Sequence, residues 1–162
     1  MSAATQSAEA WLLECGSVRA LVSVLNMQHV IEAGQLFHVP MMPAHCNSAM
    51  VWQKHVMPVV NIATWMQKPV STCRYTCIIG WQDIQRGSEY GVLAATSFPQ
   101  RTKIYDADCV EPSAELANLW KQCALCFVKM GNEIIPVIDP ARLFGASQFA
   151  EQKQVQTIGK IA

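Results

Sequence analysis

The sequence carries little charge of either sign and no excess of one sign. Only 15% of its 162 residues are charged, and twelve basic residues balance twelve acidic ones. The chain therefore has no basic field of the kind that binds nucleic acid or holds a protein on an anionic membrane. About half of the residues (51%) are apolar, which is enough to bury a sizeable core and argues against disorder.

Long apolar runs are also missing. No segment reaches the ~18–20 consecutive apolar residues of a membrane span. Residues 1–10 lack the basic start and apolar centre of a signal peptide. These absences predict a cytoplasmic protein with no direct membrane insertion. The seven cysteines, an odd number, are then expected to be reduced thiols and not a disulfide framework.

Catalytic motifs of recognisable spacing are absent as well. The sequence has no GxSxG, no P-loop and no GxGxxG. Its histidines show neither an HxH nor an HExxH spacing, so partly exposed polar histidines are favoured over a metal site; they are His29, His38, His45 and His55. We therefore predict a protein that is not an enzyme and that needs no cofactor.

Two cysteine pairs leave a different class of protein open. Cys73 and Cys77 form a CxxxC, and Cys123 and Cys126 form a CxxC. Four thiolates can hold zinc tetrahedrally, but free cysteine also behaves as a small buried apolar residue. Core packing is the preferred interpretation, and a zinc- or thiol-dependent β-domain is the alternative. A small-ligand barrel would need an arginine cluster for phosphate, which Arg101 with Lys103 is too sparse to supply.

The sequence does contain many short apolar runs separated by turn residues. At the centre, residues 49–52 and 55–60 are predicted as two strands joined by a tight Gln53-Lys54 turn. Both strands are apolar at nearly every position, which is typical of burial on both faces. Pro58 favours an edge strand or a bulge, so we expect a free backbone edge there where another chain could dock.

The same pattern continues on both sides of this centre. A first hairpin is expected around Gly16-Ser17, and Gly131-Asn132 is good turn chemistry for another. Helices are predicted to start at Ser113 and to cover residues 139–145. Further strands are predicted over residues 73–79, 90–97, 125–130 and 134–138. This indicates a β sandwich or barrel over residues 11–146, with a flexible tail over 1–10 and a second tail over 147–162.

Several of these segments, in this order and spacing, resemble the CheW-like chemotaxis coupling protein family. Val39-Pro40 with Pro43 matches that family's VPxxP, and residues 57–62 (MPVVNI) match its VPVIDL. Residues 90–93 resemble its GLLVD strand, and residues 134–140 resemble its last strand and helix. The resemblance covers residues 11–145. It implies an all-β fold of two small five-stranded β-barrel-like subdomains on a shared core, with short helices at connections.

The resemblance also implies a function. Members of this family are non-catalytic adaptors between the helical tip of a chemoreceptor and the regulatory domain of a CheA-type histidine kinase. By position in the sequence, six residues are implied in partner contact: Met27, Val30, Val51, Gln53, Lys54 and His55.

The departures from the family pattern concern its polar and turn residues. Gln53 and Lys54 replace an arginine and a glycine, His29 replaces an acidic residue, and Asn61 replaces an aspartate. Gln cannot imitate the bidentate ion pairing of Arg. Lys54 would cost about 1 kcal/mol if its φ is positive. A retained apolar scaffold with altered recognition residues suggests changed partners, for example in the chemosensory system of pilus-driven (twitching) motility.

Overall fold

The computed structural model describes residues 6–69 and 72–145, and in them the chain folds mainly into β-strands. The strands in chain order are β1 (Ser7–Cys15), β2 (Val18–Ser23), β3 (Met27–Glu32), β4 (Phe37–His38), β5 (Ser48–Trp52), β6 (His55–Val60), β7 (Tyr75–Asp83), β8 (Gly87–Ala95), β9 (Gln100–Tyr105), β10 (Ala124–Met130) and β11 (Glu133–Ile138). Three short helices connect them: α1 (Ile62–Trp65), α2 (Ala114–Trp120) and α3 (Pro140–Gly145). The all-β class predicted from the sequence is confirmed.

The strands form two sheets that correspond to the two predicted subdomains. Sheet A has the order β10-β11-β2-β1-β9, and sheet B has the order β3-β7-β8-β6-β5-β4. Sheet B has six strands and not five because the two-residue β4 pairs with the outer side of β5. The chain begins in sheet A, builds sheet B, and returns to sheet A, where β11 runs parallel to β2 with Val137 opposite Leu21.

The core explains why so many strands are apolar on both faces. Each sheet curls around one buried cluster of its own, and a third cluster, shared by both sheets, lies between them. On β2, Leu21 belongs to the sheet A cluster while its neighbour Val22 belongs to the shared cluster. On β8, Val92 and Leu93 divide in the same way between the sheet B cluster and the shared cluster. Each fully buried side chain of this kind contributes about 1.5–3 kcal/mol.

Turns and caps follow local chemistry. Gly16 and Gly131, with φ of 61° and 62°, occupy left-handed positions in the first and last hairpins, as their sequences predict. The side chain of Ser113 accepts a hydrogen bond from the Leu116 N–H (3.2 Å), and the Asp139 carboxylate accepts one from the Ala141 N–H (3.1 Å). Both predicted helix starts are therefore confirmed. None of the helices in residues 6–69 and 72–145 has the length and apolar character that a membrane crossing requires.

The end of the chain packs closely onto sheet B. The ring of Phe144 in α3 stacks on Trp81 of β7, with ring centroids 5.1 Å apart. A Cβ atom on Gly91 of β8 would lie 2.4 Å from the Phe144 ring, so the lack of a side chain there lets α3 dock.

The structure differs from the sequence prediction near the N-terminus, and it adds one strand that was not predicted. Residues 7–10 lie in β1, where Ser7 is opposite Tyr105 of β9, so the prediction of a loose tail is wrong for them. Residues 1–5 and the predicted tail over 147–162 lie outside the described residues. Strand β9 was not predicted, because as an edge strand it buries little and its sequence QRTKIY is mostly polar.

The prediction of an edge position for β6 is also wrong. Strand β6 lies between β5 and β8 in sheet B. However, its parallel register with β8 includes only Val59 and Val60. Pro58 lies opposite Ala49, three pairs beyond the Trp52–His55 pair that flanks the turn. At this position antiparallel strands do not exchange hydrogen bonds. The nitrogen of Pro58 therefore faces away from β5, just before the β8 pairing begins, which is how an internal strand accommodates it.

Candidate partner-binding surface

The β5–β6 hairpin has one buried face and one exposed apolar face. Met50 and Met57 point into the sheet B cluster and are opposite one another in the strand register. The next pair, Val51 and Val56, points to the other side, and their side chains are 54% and 74% exposed. Valine favours strand formation, so the hairpin holds this pair in place. Because both side chains are exposed, they contribute less to folding stability than the buried Met50 and Met57.

This apolar face continues across three strands, through the exposed Phe37 and the half-buried Ala49 and Pro58. Phe37 of β4 is opposite Ala49 of β5, and Ala49 is opposite Pro58 of β6. Because residues two apart on a strand share a face, this row lies beside the Val51–Val56 pair. We call this set of five residues the outer strip: Phe37, Ala49, Val51, Val56 and Pro58. Contiguous exposed apolar side chains on a folded domain are typical of protein-interaction sites.

The chain segment that carries the outer strip contains no acidic residue. No Asp or Glu occurs between Glu32 and Asp83, whereas Lys54 is exposed at the tip of the hairpin. The tip is a two-residue turn in which both Gln53 and Lys54 have positive φ, 47° and 68°. A partner with apolar side chains and an acidic rim would complement this arrangement.

His55 lies on the other side of the hairpin, at the open end of the sheet B curl. Its ring is 5.8 Å from that of Tyr90 on β8, and Trp52 meets Tyr90 edge to face at 5.9 Å. The ring of His29 on β3 stacks 6.3 Å from Trp52, so the sheet curls far enough to bring β3 near β5. These four rings cover the end of the sheet B cluster.

Met27 and Val30 lie on β3, the opposite end of the strand order of sheet B. Both are partly buried against the shared cluster. A cavity of about 270 Å³ lies beside this strand, where the chain passes from sheet A to sheet B, and Leu25, Gln28 and Trp81 contribute to its lining. The six residues implied by the resemblance are therefore divided between the hairpin and the β3 edge, and their role in binding stays a prediction.

Of the five residues of the outer strip, only Val51 was among the contact residues predicted from the sequence, and the other four were missed. Val56 could have been found by counting, because a two-residue turn at 53–54 places residue 56 opposite Val51. Phe37 gave no signal, since a strand of two residues has no periodicity to detect.

The cysteine pairs do not converge. The Cys123 thiol lies in the shared cluster and donates to the Trp120 carbonyl at 3.7 Å, whereas Cys126 packs against the sheet A cluster. Burial raises the pKa of Cys123, and burial followed by the charge of Cys15 raises that of Cys77, each to about 12. Among the described residues no three His, Cys, Asp or Glu side chains gather to hold a metal ion.

The architecture defines the fold class, in which two curled β-sheets of five and six strands share one core. No protein-family model matches the sequence, and no curated protein matches it. A solved structure does match, described as the scaffolding protein TtCheW from Thermoanaerobacter tengcongensis. It superposes with a TM-score of 0.66 over 83% of this chain and 90% of its own, at 10% sequence identity. The likeness establishes a CheW-like fold.

Proposed function

We propose that this protein is a non-catalytic, cytoplasmic adaptor of a chemosensory array that couples a chemoreceptor to a CheA-type histidine kinase. The observation that carries the proposal is the near-complete structural match to a chain described as a scaffolding protein. The outer strip adds support, because exposed apolar side chains beside an exposed lysine suit a protein-binding surface and contribute little to folding stability.

The outer strip is the proposed contact for the regulatory domain of the kinase. Val51 and Val56 supply a flat apolar centre, and Gln53 and Lys54 supply a polar rim at the hairpin tip. Interfaces of this anatomy obtain their affinity from the apolar centre, and their association rate and selectivity from the charged rim. Replacement of the family's arginine and glycine by Gln53 and Lys54 then changes which kinase fits, without loss of the scaffold.

The receptor contact is proposed at the β3 edge. The cavity beside this strand lies at the passage between the two sheets, and Leu25 above it is 87% exposed. Met27 and Val30 present partly buried apolar side chains next to it. An amphipathic helix could place its apolar side chains there in the helix-in-groove mode. His55, at the open end of the sheet B curl, lies between the two proposed contacts.

A binding experiment tests the kinase contact. We expect Val51→Asp to weaken binding to the regulatory domain of the cell's own kinase by at least about tenfold, since it places a charge in the apolar centre. Thermal unfolding should stay close to wild type because the side chain is half exposed. Isothermal titration calorimetry with the purified domains measures the first, and circular dichroism the second.

A matched variant makes this result specific. Leu125 on β10 is 65% exposed on the other sheet, so Leu125→Asp introduces the same charge away from the outer strip. It should bind the kinase domain as wild type does. Wild-type affinity in Val51→Asp, or equal loss in both variants, would contradict the proposed contact.

Within this role we favour a specialised array, such as one controlling pilus-driven surface motility, over the flagellar system. The support is the altered hairpin tip, where Gln53 and Lys54 stand in place of the family's arginine and glycine. Deletion of the coding region should then impair twitching and leave swimming intact. Loss of swimming alone would reverse this assignment without affecting the adaptor role.

A further inference from the structure

Two thiols meet where sheet A and sheet B come together. Cys15 is the last residue of β1 in sheet A, and Cys73 comes just before β7 of sheet B. The Cys15 Sγ lies 3.3 Å from the Asn61 Oδ1, and the Asn61 Nδ2 lies 3.7 Å from the Cys73 Sγ. Each thiol shifts the pKa of the other, so the two side chains are close neighbours. Cysteines 58 positions apart in sequence (73 − 15 = 58), one from each sheet region, thus meet at the side chain of Asn61.

The surroundings favour one thiolate and one thiol in this pair. In its thiol form Cys15 donates to the Asn61 Oδ1. Its interaction with the Cys73 side chain nevertheless lowers the pKa of Cys15 to about 7, against the effect of burial and assisted by the backbone N–H groups of Ala63 and Ile62. The same interaction, followed by burial, raises the pKa of Cys73 well above its usual range. A nucleophilic thiolate beside a protonated second thiol is the arrangement that disulfide formation uses.

The pair can be reached from solvent only at Cys73. Cys15 is buried, but Cys73 is partly exposed and lines a cavity of about 420 Å³ together with Asn61 and Thr64. A small oxidant such as a hydroperoxide fits such a space. Disulfides in a reducing compartment are mostly transient and redox-sensing, and low-pKa thiols next to a resolving cysteine are their usual source.

We propose that Cys15 and Cys73 form a reversible disulfide on exposure to a hydroperoxide, and that this bond fastens sheet A to sheet B. The Cys15 thiolate attacks one peroxide oxygen, the O–O bond breaks, and the released hydroxide takes a proton to become water. Cys15 is then a sulfenic acid. The Cys73 sulfur attacks the Cys15 sulfur, the S–S bond forms, and the S–O bond breaks. The leaving hydroxide takes the Cys73 proton, so two thiols lose two electrons and hydrogen peroxide becomes two waters.

Trypsin cleavage allows the crosslink to be identified by mass spectrometry. Arg19 follows Cys15, and Arg74 separates Cys73 from Cys77, so the three cysteines fall in three different peptides. The reduced full chain is treated with hydrogen peroxide, alkylated, digested and analysed by mass spectrometry without reduction. We expect the peptide ending at Arg19 to be joined to the peptide ending at Arg74, with a loss of about 2 Da from the intact chain. Dithiothreitol should reverse both changes.

Variants separate this bond from other oxidation. Cys73→Ser should abolish the crosslink, and because Cys73 is partly exposed this variant is expected to fold even if Cys15→Ser does not. Cys109→Ser, at an exposed cysteine beside Cys126, is the matched control and should keep the crosslink. A Cys15–Cys77 link, a crosslink between two molecules, or oxidation of Cys15 without any crosslink would each overturn the proposal.

Discussion

Cys77 shows how one buried side chain makes the stability of the whole fold depend on pH. It is fully buried on β7, and burial, together with the nearby Cys15, raises its pKa from 9.0 to about 12. Between these two values the unfolded chain has lost this proton and the folded chain has kept it. The folded state then binds more protons than the unfolded state, so stability falls as the pH rises.

We expect the free energy of unfolding to fall by about 1.4 kcal/mol per pH unit from this thiol alone between pH 9 and 12. Cys77→Ala removes the titrating group, so it should be less stable than wild type at pH 8 but lose less stability above pH 9. Urea unfolding at a series of pH values measures both curves. Val92→Ala creates a similar cavity on the adjacent strand without removing a thiol, and its curve should run parallel to wild type. Parallel curves for Cys77→Ala would contradict the assignment.

Other single residues show which features could be predicted from the sequence and which could not. Ser113 and Asp139 were identifiable as helix caps because capping depends on the residues within one turn. The proximity of Cys15 to Cys73 was not, because it depends on how β1 and the entry to β7 meet across two sheets. Asn61, which differs from the family aspartate, still caps α1 by accepting from the Thr64 N–H at 3.1 Å.

At the scale of elements, the β5–β6 turn carries backbone strain at the proposed contact. Gln53 and Lys54 both have positive φ, which side chains other than glycine adopt at a cost of about 1 kcal/mol each. This geometry matches the right-handed twist of the flanking strands, which is why a two-residue hairpin adopts it despite the cost. The register that it sets, with Val51 opposite Val56, builds the centre of the outer strip.

Lys54→Gly should therefore stabilise the protein by about 0.5–1 kcal/mol in urea unfolding, because glycine adopts the left-handed region freely. Gly131→Ala is the converse control: its φ is 62°, and nothing lies within 4 Å of the added Cβ, so only the backbone is affected. That variant should lose about 1 kcal/mol. Destabilisation by Lys54→Gly would mean that the lysine side chain makes a stabilising contact that outweighs the strain.

Elements were predictable in proportion to how strongly each one is buried. Strands β6, β7 and β8 bury side chains in two clusters and β5 in one, so their apolar runs stand out in the sequence. Strand β9 buries little, and β4 has only two residues, so neither leaves a pattern. Pro58 misled the prediction because a proline can also lie inside a sheet where the adjacent ladder has not yet begun.

At the scale of the whole molecule, the shared cluster decides whether the sheets fold separately. It contains Leu13 and Val22 from sheet A, Val60 and Leu93 from sheet B, and Phe144 from α3. Each sheet buries one face on its own, but the second face is covered only when both sheets are present. Separation of the sheets would expose this cluster to water, at about 25 cal/mol for each Å² of apolar surface.

We therefore expect the two sheets to unfold in a single transition. Leu13→Ala on β1 and Leu93→Ala on β8 each remove a nearly fully buried leucine from the shared cluster and should each cost about 2–5 kcal/mol. Because the sheets are coupled, either variant should accelerate hydrogen exchange equally in β2 and in β7, measured by mass spectrometry near the unfolding midpoint. Leu21→Ala tests the same coupling between the two sheets with a residue outside the shared cluster, because Leu21 belongs to the cluster of sheet A alone. If Leu13→Ala accelerated exchange in β2 and left β7 protected, the two sheets would be independent folding units.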